Sequence, residues 1–277
     1  MQPNFTTATT GGPAGIIPGT HELIAELEQR LSAGEAFDNP KLTSAADRIF
    51  GGSRAQGTYT PRDAYDAMET AVNRLLLKGR ARELMQANVA DAFAALRSLT
   101  AQLPRQADRT AEQTELQQFS TPPALAFVAA RLLRPQDADT VLEPSAGTGS
   151  LAVWPRAVSA PVVCNEINAR RFALLTEGLG FEAHCVDAEI IDDLLPADVQ
   201  PRAVLMNPPF SATGGRVVQH RTGYGARHIE SALRRLQDGG RLVAAHCRGL
   251  QRPRQLPSAR QGVRQIRDGI RRADSGH

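Results

Sequence analysis

The stretch that decides the fold is DTVLEPSAGTGSLA, residues 139–152, in which a short β-branched run ends in an acid and continues into a glycine-rich loop. Further runs of this kind follow along the chain, namely PVVCNE (161–166), HCVDAE (184–189), RAVLMN (202–207) and RLVAAH (241–246). Helical patterns lie between most of these runs, most clearly at 122–133, 168–179 and 226–237. Because strands that alternate with helices form parallel sheets, we predict an α/β fold with a mostly parallel sheet and helices on both faces.

A helical region precedes this α/β segment. We predict one helix after Thr20 and a second after Thr60-Pro61-Arg62-Asp63, where a hydroxyl cap, a first-turn proline and an acid form a helix start. A third helix is predicted from Arg80 to Leu103, ended by Pro104. The chain then divides into a disordered lead-in, a helical N-terminal region, a polar linker, an α/β domain and a basic, disordered tail, at 1–19, 20–104, 105–117, 118–247 and 248–277.

The composition is that of a soluble globular chain of 277 residues, 42% hydrophobic and 22% charged. No run of eighteen apolar residues exists, which excludes a membrane-spanning helix, and the N-terminus lacks the pattern of a secretory signal. The three cysteines are too widely spaced for a disulfide framework or a zinc cluster, so we expect a cytoplasmic protein. Eight arginines and two aspartates in 248–277 contribute +6 to the net charge of +3, so the tail alone makes the chain basic.

The residues directly after the predicted strands are unusual, and ligands in such folds bind outside the carboxyl ends of the strands. Gly147 and Gly149 permit a tight turn and a close backbone approach, although a plain turn without a ligand has the same pattern. An acid at Glu166 suits the two hydroxyls of a ribose, and Asp187 suits an exocyclic amine of adenine. Alone, Glu166 could equally be a solvated helix start, and Asp187 a helix cap.

The most specific signal is Asn207-Pro208-Pro209-Phe210, which follows a predicted buried strand. Two consecutive prolines remove two N–H donors and stiffen the backbone. The Asn207 carboxamide oxygen and the Pro208 carbonyl can then point at one spot, beside the flat apolar face of Phe210. Such a site accepts hydrogen bonds from an amino group attached to a planar ring or amide.

These elements, in this order over residues 118–246, resemble the class I, S-adenosylmethionine-dependent amino-methyltransferases, and more narrowly the gamma-ordered adenine-N6 DNA methyltransferases. The motifs are Phe119-Ser120-Thr121-Pro122-Pro123, then LEPSAGTGSLA, then Asn165-Glu166, Asp187 and NPPF. The resemblance implies a Rossmann-like fold and S-adenosylmethionine as the cofactor. The cofactor-binding residues that it implies are Phe119, Thr121, Glu143, Pro144, Ser145, Ala146, Gly147, Gly149, Glu166, Ile167, Asp187 and Ala188.

Within that set, the resemblance implies that Thr121 binds the methionine carboxylate end of the cofactor, and that Glu143 and the glycine loop form the cradle around the cofactor. It also implies that Glu166 binds the ribose and that Asp187 binds the adenine amine. The catalytic residues that it implies are Asn207, Pro208, Pro209 and Phe210. Asn207 and the Pro208 carbonyl accept the two hydrogens of adenine N6, which frees the nitrogen lone pair for an in-line attack on the sulfonium methyl group. The expected partner is DNA whose target adenine flips out and stacks on Phe210, and no metal is expected.

A second resemblance concerns residues 36–73, which are similar to the region that precedes the methylase module in strawberry-notch-type methylase–helicase proteins of bacterial mobile elements. The sequence also departs from a complete methyltransferase fold. Pro155 breaks the helix after the glycine loop within about a turn, and nothing beyond residue 247 predicts the two further strands that finish such a sheet. We therefore expect a C-terminally incomplete fold with weak or absent DNA methylation.

Three alternatives stay open at this point. An Asn-Pro-Pro-aromatic site also suits an RNA base or a protein glutamine amide. A nicotinamide dehydrogenase could use the same glycine loop, but it would leave NPPF and Asp187 unexplained. A truncated, non-catalytic relic that binds cofactor or DNA is the third. Cytosine-C5 chemistry through a cysteine adduct is excluded, because no Pro-Cys pair occurs in the chain.

Overall fold

The computed structural model describes residues 15–104, 120–208, 224–246 and 249–250. Six strands form a sheet within these ranges: Val141–Glu143 (β1), Val162–Asn165 (β2), Glu182–His184 (β3), Ala203–Met206 (β4), Arg241–His246 (β5) and Gly249–Leu250 (β6). Their order is β3-β2-β1-β4-β5-β6, in which the first five run parallel and β6 runs antiparallel to β5. The predicted α/β fold with a mostly parallel sheet is therefore confirmed.

Ten α-helices accompany the sheet in the described ranges. Those of the N-terminal region are Thr20–Ser32 (α1), Asn39–Phe50 (α2), Pro61–Leu75 (α3), Ala81–Gln86 (α4) and Val89–Ala101 (α5). Those of the α/β part are Pro123–Leu133 (α6), Val153–Ala157 (α7), Ala169–Ala173 (α8), Ile191–Leu194 (α9) and Tyr224–Arg235 (α10). Single turns of 3₁₀ or π geometry lie at Arg54–Gln56, Leu76–Arg80, Leu174–Gly178 and Ala188–Ile190.

The apolar residues of the central strands alternate between two hydrophobic clusters, which places helices on both faces of the sheet. Val141 and Leu205 belong to a cluster shared with the N-terminal helices, α6 and α7. Leu142 and Val204 belong to a second cluster that includes residues of α9 and α10. The helical region and the sheet thus share one continuous core. No helix within the described residues is long and apolar enough to cross a membrane.

The helix starts follow the sequence more closely than the helix ends. At the predicted start of α3, Thr60 Oγ1 accepts from the Asp63 amide at 3.3 Å, and Asp63 accepts from the Thr60 amide at 2.8 Å. The single helix predicted from 80 to 103 is wrong, because Ala87 is extended and Asn88 caps a new helix by accepting from the Ala90 amide. Helix α2 was not predicted.

Pro155 does not end the helix after the glycine loop. It is the third residue of α7, within the first turn, where no backbone N–H is needed. The helix is short, as predicted, but it ends two residues later, at Ala157.

The third strand lies earlier than the predicted run at 184–189. β3 ends at His184, and Asp187 caps the following 3₁₀ turn by accepting from the Glu189 amide at 2.9 Å. Because β3 is an edge strand, Glu182 is exposed and His184 only half-buried, so no apolar run marks its position.

Some predicted features lie outside the described residues. They are the lead-in up to residue 14, the linker at 105–117, Phe119, Pro209, Phe210 and most of the tail at 248–277. The expectation of no sheet pairing in that tail is wrong for its described part, because Leu250 pairs with Ala245 and Gly249 with His246. A two-residue edge strand is held by backbone hydrogen bonds and needs no alternation of apolar side chains that a sequence could reveal.

Candidate active site

The glycine loop, residues 143–149, leaves β1 and turns through positive φ angles of 57° at Gly147 and 89° at Gly149. A Cβ at Gly149 would lie 2.9 Å from Leu179 Cδ1 and 3.1 Å from Leu175 Cδ2, so this position needs glycine for space as well as for conformation. Among the described residues, a Cβ at Gly147 would meet only the Arg171 guanidinium, at 3.4 Å. The other predicted loop residues pack inward: Glu143, Pro144 and Ala146 are buried, and Ser145 is half-buried.

Asn165 is the last residue of β2, and its side chain is hydrogen-bonded to the loops that follow the neighbouring strands β1 and β3. Its Nδ2 donates to the carbonyls of Pro144 and Val186, both at 2.9 Å, and its Oδ1 accepts from the Val186 amide at 3.0 Å. The side chain is buried with its donors and acceptor satisfied, which fixes the relative positions of these loops. Asn165 was named in the motif Asn165-Glu166 but was assigned no role, although a polar residue at the end of a buried strand was an available signal.

The Glu166 side chain is hydrogen-bonded to the glycine loop. One carboxylate oxygen accepts from the Gly147 amide at 2.7 Å and the other from the Asn168 amide at 2.8 Å. Burial raises the pKa of Glu166, against the opposing effects of Arg171 and of these two amides. Because a carboxylate has about four acceptor sites, both oxygens retain lone pairs for the hydroxyls of a ligand.

Glu143 carries a buried oxygen that is not satisfied within the described residues. The side chain is 2% exposed and accepts from the Ala152 amide, whereas Oε2 has no hydrogen-bond partner among the described residues. Burial raises the pKa of Glu143 well above its usual range. A buried acceptor of this kind costs about 1–3 kcal/mol, so a ligand that brings a donor or a cation to it would recover that free energy.

Thr121 and Asn207 are in direct contact. Asn207 follows β4, and its Nδ2 donates to Thr121 Oγ1 at 3.1 Å. Thr121 is buried, and so is Pro208, which follows Asn207 in the sequence. Thr121 therefore holds the nitrogen end of the Asn207 carboxamide.

Three further predicted residues lie at the ends of the outer strands. Ile167 is 54% exposed beside Glu166, and its carbonyl accepts from Cys185 Sγ at 3.7 Å, so the segments after β2 and β3 are neighbours. Asp187 is exposed and caps a turn, while Ala188 is buried. The structure therefore brings the described members of the predicted site to the edge of the sheet that is formed by the carboxyl ends of the parallel strands.

Helix α3 of the N-terminal region also contacts this edge, which was not predicted. Glu69 accepts from Thr148 Oγ1 in the glycine loop at 2.9 Å and from Ser120 Oγ at 2.5 Å. Asn73, one turn further, donates to the Thr148 carbonyl at 2.7 Å. The available signal was a polar stripe at helical spacing on α3, formed by Asp66, Glu69 and Asn73.

A buried cluster of charges joins α3 to the same edge. Asp66 is fully buried and lies 3.2–3.4 Å from nitrogen atoms of Arg62, Arg170 and Arg171. Burial by itself would raise the pKa of Asp66, but the three cations outweigh it and lower that pKa. Arg171, which lies beside Gly147, is held charged by Asp66 and by the neighbouring glutamates in spite of its burial.

The described residues contain no group of three or more histidine, cysteine or acidic side chains that could hold a metal ion. By sequence, the model of the family described as methyltransferase small domain matches residues 126–269, just over half of the chain. The matched range extends past β5 into the segment predicted as a tail. No curated protein matches the chain significantly.

Three solved structures share part of the fold. TrmN from Thermus thermophilus is 20% identical, with a TM-score of 0.39 over 51% of this chain and 46% of that chain. NSun6 from Pyrococcus horikoshii with SFG is 18% identical, with a TM-score of 0.40 over 61% and 46%. A SAM-dependent O-methyltransferase from Thermotoga maritima is 20% identical, with a TM-score of 0.33 over 47% and 45%. The chain spans less than half the length of each, and the likeness concerns the fold alone.

Proposed function

The chain belongs to the methyltransferase small domain family, and from this premise we propose that it transfers a methyl group from S-adenosylmethionine to the N6 amino group of adenine in DNA. The observation that carries the choice of an amino group as the methyl acceptor is the hydrogen bond from Asn207 to Thr121, and adenine in DNA is chosen because the order of the motifs resembles that of the adenine-N6 DNA methyltransferases. It sets the carboxamide of the NPPF motif against the F-S-T-P-P motif, next to the glycine loop.

The residues at this edge of the sheet fit S-adenosylmethionine. The unsatisfied Oε2 of Glu143 suits the methionine ammonium, whose charge would offset the burial that raises the pKa of this carboxyl. The positive φ angles of Gly147 and Gly149 let the backbone approach the cofactor without a Cβ. Glu166, held by two backbone amides, presents its carboxylate to the ribose hydroxyls. Thr121 would bind the carboxylate end, and Ile167 and Asp187 would contact the adenine.

When bound, the cofactor supplies a methyl group on a sulfonium, which is an activated donor. The protein's task is to orient the acceptor nitrogen and to free its lone pair. Asn207 Oδ1 and the Pro208 carbonyl accept the two hydrogens of the target amine, which favours a tetrahedral nitrogen aimed at the methyl carbon. Thr121 keeps the carboxamide in the orientation that this acceptance requires. A base within a duplex cannot reach this site, so the target nucleotide flips out.

The decisive experiment offers tritiated S-adenosylmethionine to duplex DNA, single-stranded DNA, structured RNA and protein side by side. The proposal expects label in DNA, released after nucleoside digestion as N6-methyl-2′-deoxyadenosine, and at least about 100-fold less label with Asn207→Ala. Label in RNA alone would assign the enzyme to RNA bases, and label in protein alone to glutamine amides. Either result would overturn the DNA assignment, because the same pair of acceptors serves any planar amine.

A further inference from the structure

We propose that Glu69, on helix α3 of the N-terminal region, is a positioning residue of the methyl-transfer site. It acts through two hydroxyls: Ser120, which adjoins the Thr121–Asn207 pair, and Thr148, within the glycine loop. The inference rests on the proposed function for its catalytic readout, and on the ligand-free fold for its structural readout.

Two hydroxyl donors converge on a single carboxylate oxygen. Ser120 Oγ and Thr148 Oγ1 both donate to Glu69 Oε2, at 2.5 and 2.9 Å, although these residues lie 51 and 79 positions away in sequence. Burial raises the pKa of Glu69, against the opposing effects of Arg171 and of these two hydroxyls, and Oε2 can accept from both whether or not the carboxyl is ionised. The carboxylate therefore fixes the distance between the F-S-T-P-P segment and the glycine loop.

The segment around Thr121 needs such an anchor. Residues 120–122 have no regular secondary structure, and Pro122 and Pro123 offer no backbone N–H. Side-chain hydrogen bonds are then the main polar means of holding this segment. Ser120 is held by Glu69, and the next residue, Thr121, accepts from Asn207, so two hydrogen bonds and one peptide bond link α3 to the acceptor of the target amine.

The glycine loop is held by the same helix from two sides. Glu69 accepts from the Thr148 hydroxyl, and Asn73 donates to the Thr148 carbonyl at 2.7 Å. The buried ion cluster of Asp66 with Arg171 fixes α3 against the residue that lies beside Gly147. Helix α3 thus lies along one side of the site, and Glu69 is the residue of α3 that contacts both the segment at 120–122 and the glycine loop.

The test uses the full chain with Glu69→Ala, Glu69→Gln, Ser120→Ala and the double variant Glu69→Ala/Ser120→Ala. Glu83→Gln, an exposed glutamate on α4, is the matched control. We expect Glu69→Ala to lower kcat per folded molecule roughly 10- to 100-fold, the equivalent of losing the two hydrogen bonds that Glu69 accepts. Glu69→Gln keeps an oxygen at the same place and should recover part of the rate. The control should retain wild-type kcat.

Two results distinguish positioning from simple support of the fold. If Glu69 acts through Ser120, the double variant loses little more rate than Glu69→Ala alone, because the two changes break the same link. Full additivity of the two losses in rate would overturn the proposal. So would a Glu69→Ala variant that melts at a lower temperature yet has an unchanged kcat per folded molecule.

Amide hydrogen exchange on the ligand-free protein separates this proposal from the proposed function. We expect faster exchange in Glu69→Ala at residues 145–149 and 203–207, with unchanged protection in helix α10, which belongs to the hydrophobic cluster that contains no residue of α3. Equal protection in variant and wild type would overturn the positioning role even if methyl transfer is found. Increased exchange in the variant, together with a wild type that methylates no substrate, would support the positioning role and reject only the proposed function.

Discussion

The side chains of Thr121 and Asn207 form a hydrogen bond of 3.1 Å across 86 residues of sequence. Thr121 precedes the first helix of the α/β part, and Asn207 follows the fourth strand. They meet because the carboxyl ends of parallel strands lie at the same edge of a sheet, and the segment before α6 reaches that edge. Two motifs that are separate in the sequence thus form one site.

Replacement of Asn207 by alanine removes an acceptor of the target amine but none of the groups proposed to hold the cofactor. We expect methyl transfer to fall by about 100- to 1000-fold, as for the loss of one group that stabilises a transition state, with the S-adenosylmethionine Kd nearly unchanged. Methyl-transfer rates and calorimetry measure the two quantities. Gln86→Ala, an exposed amide on α4, serves as the control. A parallel loss of cofactor binding would place Asn207 in the cofactor site instead.

Replacement of Glu166 by alanine tests the ribose assignment. Loss of two hydrogen bonds should weaken S-adenosylmethionine binding by about 1–3 kcal/mol, measured by titration calorimetry. Glu182→Ala removes an exposed carboxylate from the neighbouring edge strand and should leave the affinity unchanged. An unaltered Kd in Glu166→Ala would contradict the assignment.

Replacement of Gly149 by alanine, compared with the same change at Gly239, distinguishes backbone strain from steric crowding around the new Cβ. The positive φ and the 2.9 Å approach to Leu179 Cδ1 should together lower the free energy of unfolding by about 2–4 kcal/mol in urea titrations. Gly239→Ala is a matched control, since Gly239 has a φ of 74° and no heavy atom of the described part of the chain lies within 4 Å of its Cβ position. Equal losses in the two variants would mean that the glycine loop is not tightly packed against Leu175 and Leu179.

Replacement of Glu143 by glutamine should change the pH dependence of stability. Because the pKa of Glu143 is raised in the folded state, its ionisation opposes folding, and wild-type stability falls as pH rises above the unfolded pKa, about 4.5. Ligand-free Glu143→Gln should therefore be more stable than wild type at pH 7, by about 1 kcal/mol or more, and the difference should vanish below about pH 4.5. The same variant should bind S-adenosylmethionine more weakly. A stability difference that does not vary with pH would contradict this prediction, because it would show that the pKa of Glu143 is the same in the folded and unfolded protein.

Features set by neighbours in the chain could be predicted from the sequence. Strand β4 is a continuous apolar run, and β1 has two apolar residues before Glu143, because helices cover both faces of these buried strands. The capping residues of α3 lie within four positions of one another. Strand β3 was misplaced because an edge strand needs no apolar run. The break at Ala87 and Asn88 was missed because a pattern of apolar spacing does not show where a helix is interrupted.

The α/β class, the glycine loop and the approximate ends of every predicted strand except β3 could be predicted from the sequence alone. Periodicity, caps and glycine turns are local consequences of side-chain size and backbone freedom. Only the tertiary structure decided that Glu69 contacts Thr148, that Asn73 donates to the same residue, and that Asp66 lies among three arginines. These contacts depend on how α3 packs against the sheet. That packing follows from the shape of a shared apolar core, which no local pattern encodes.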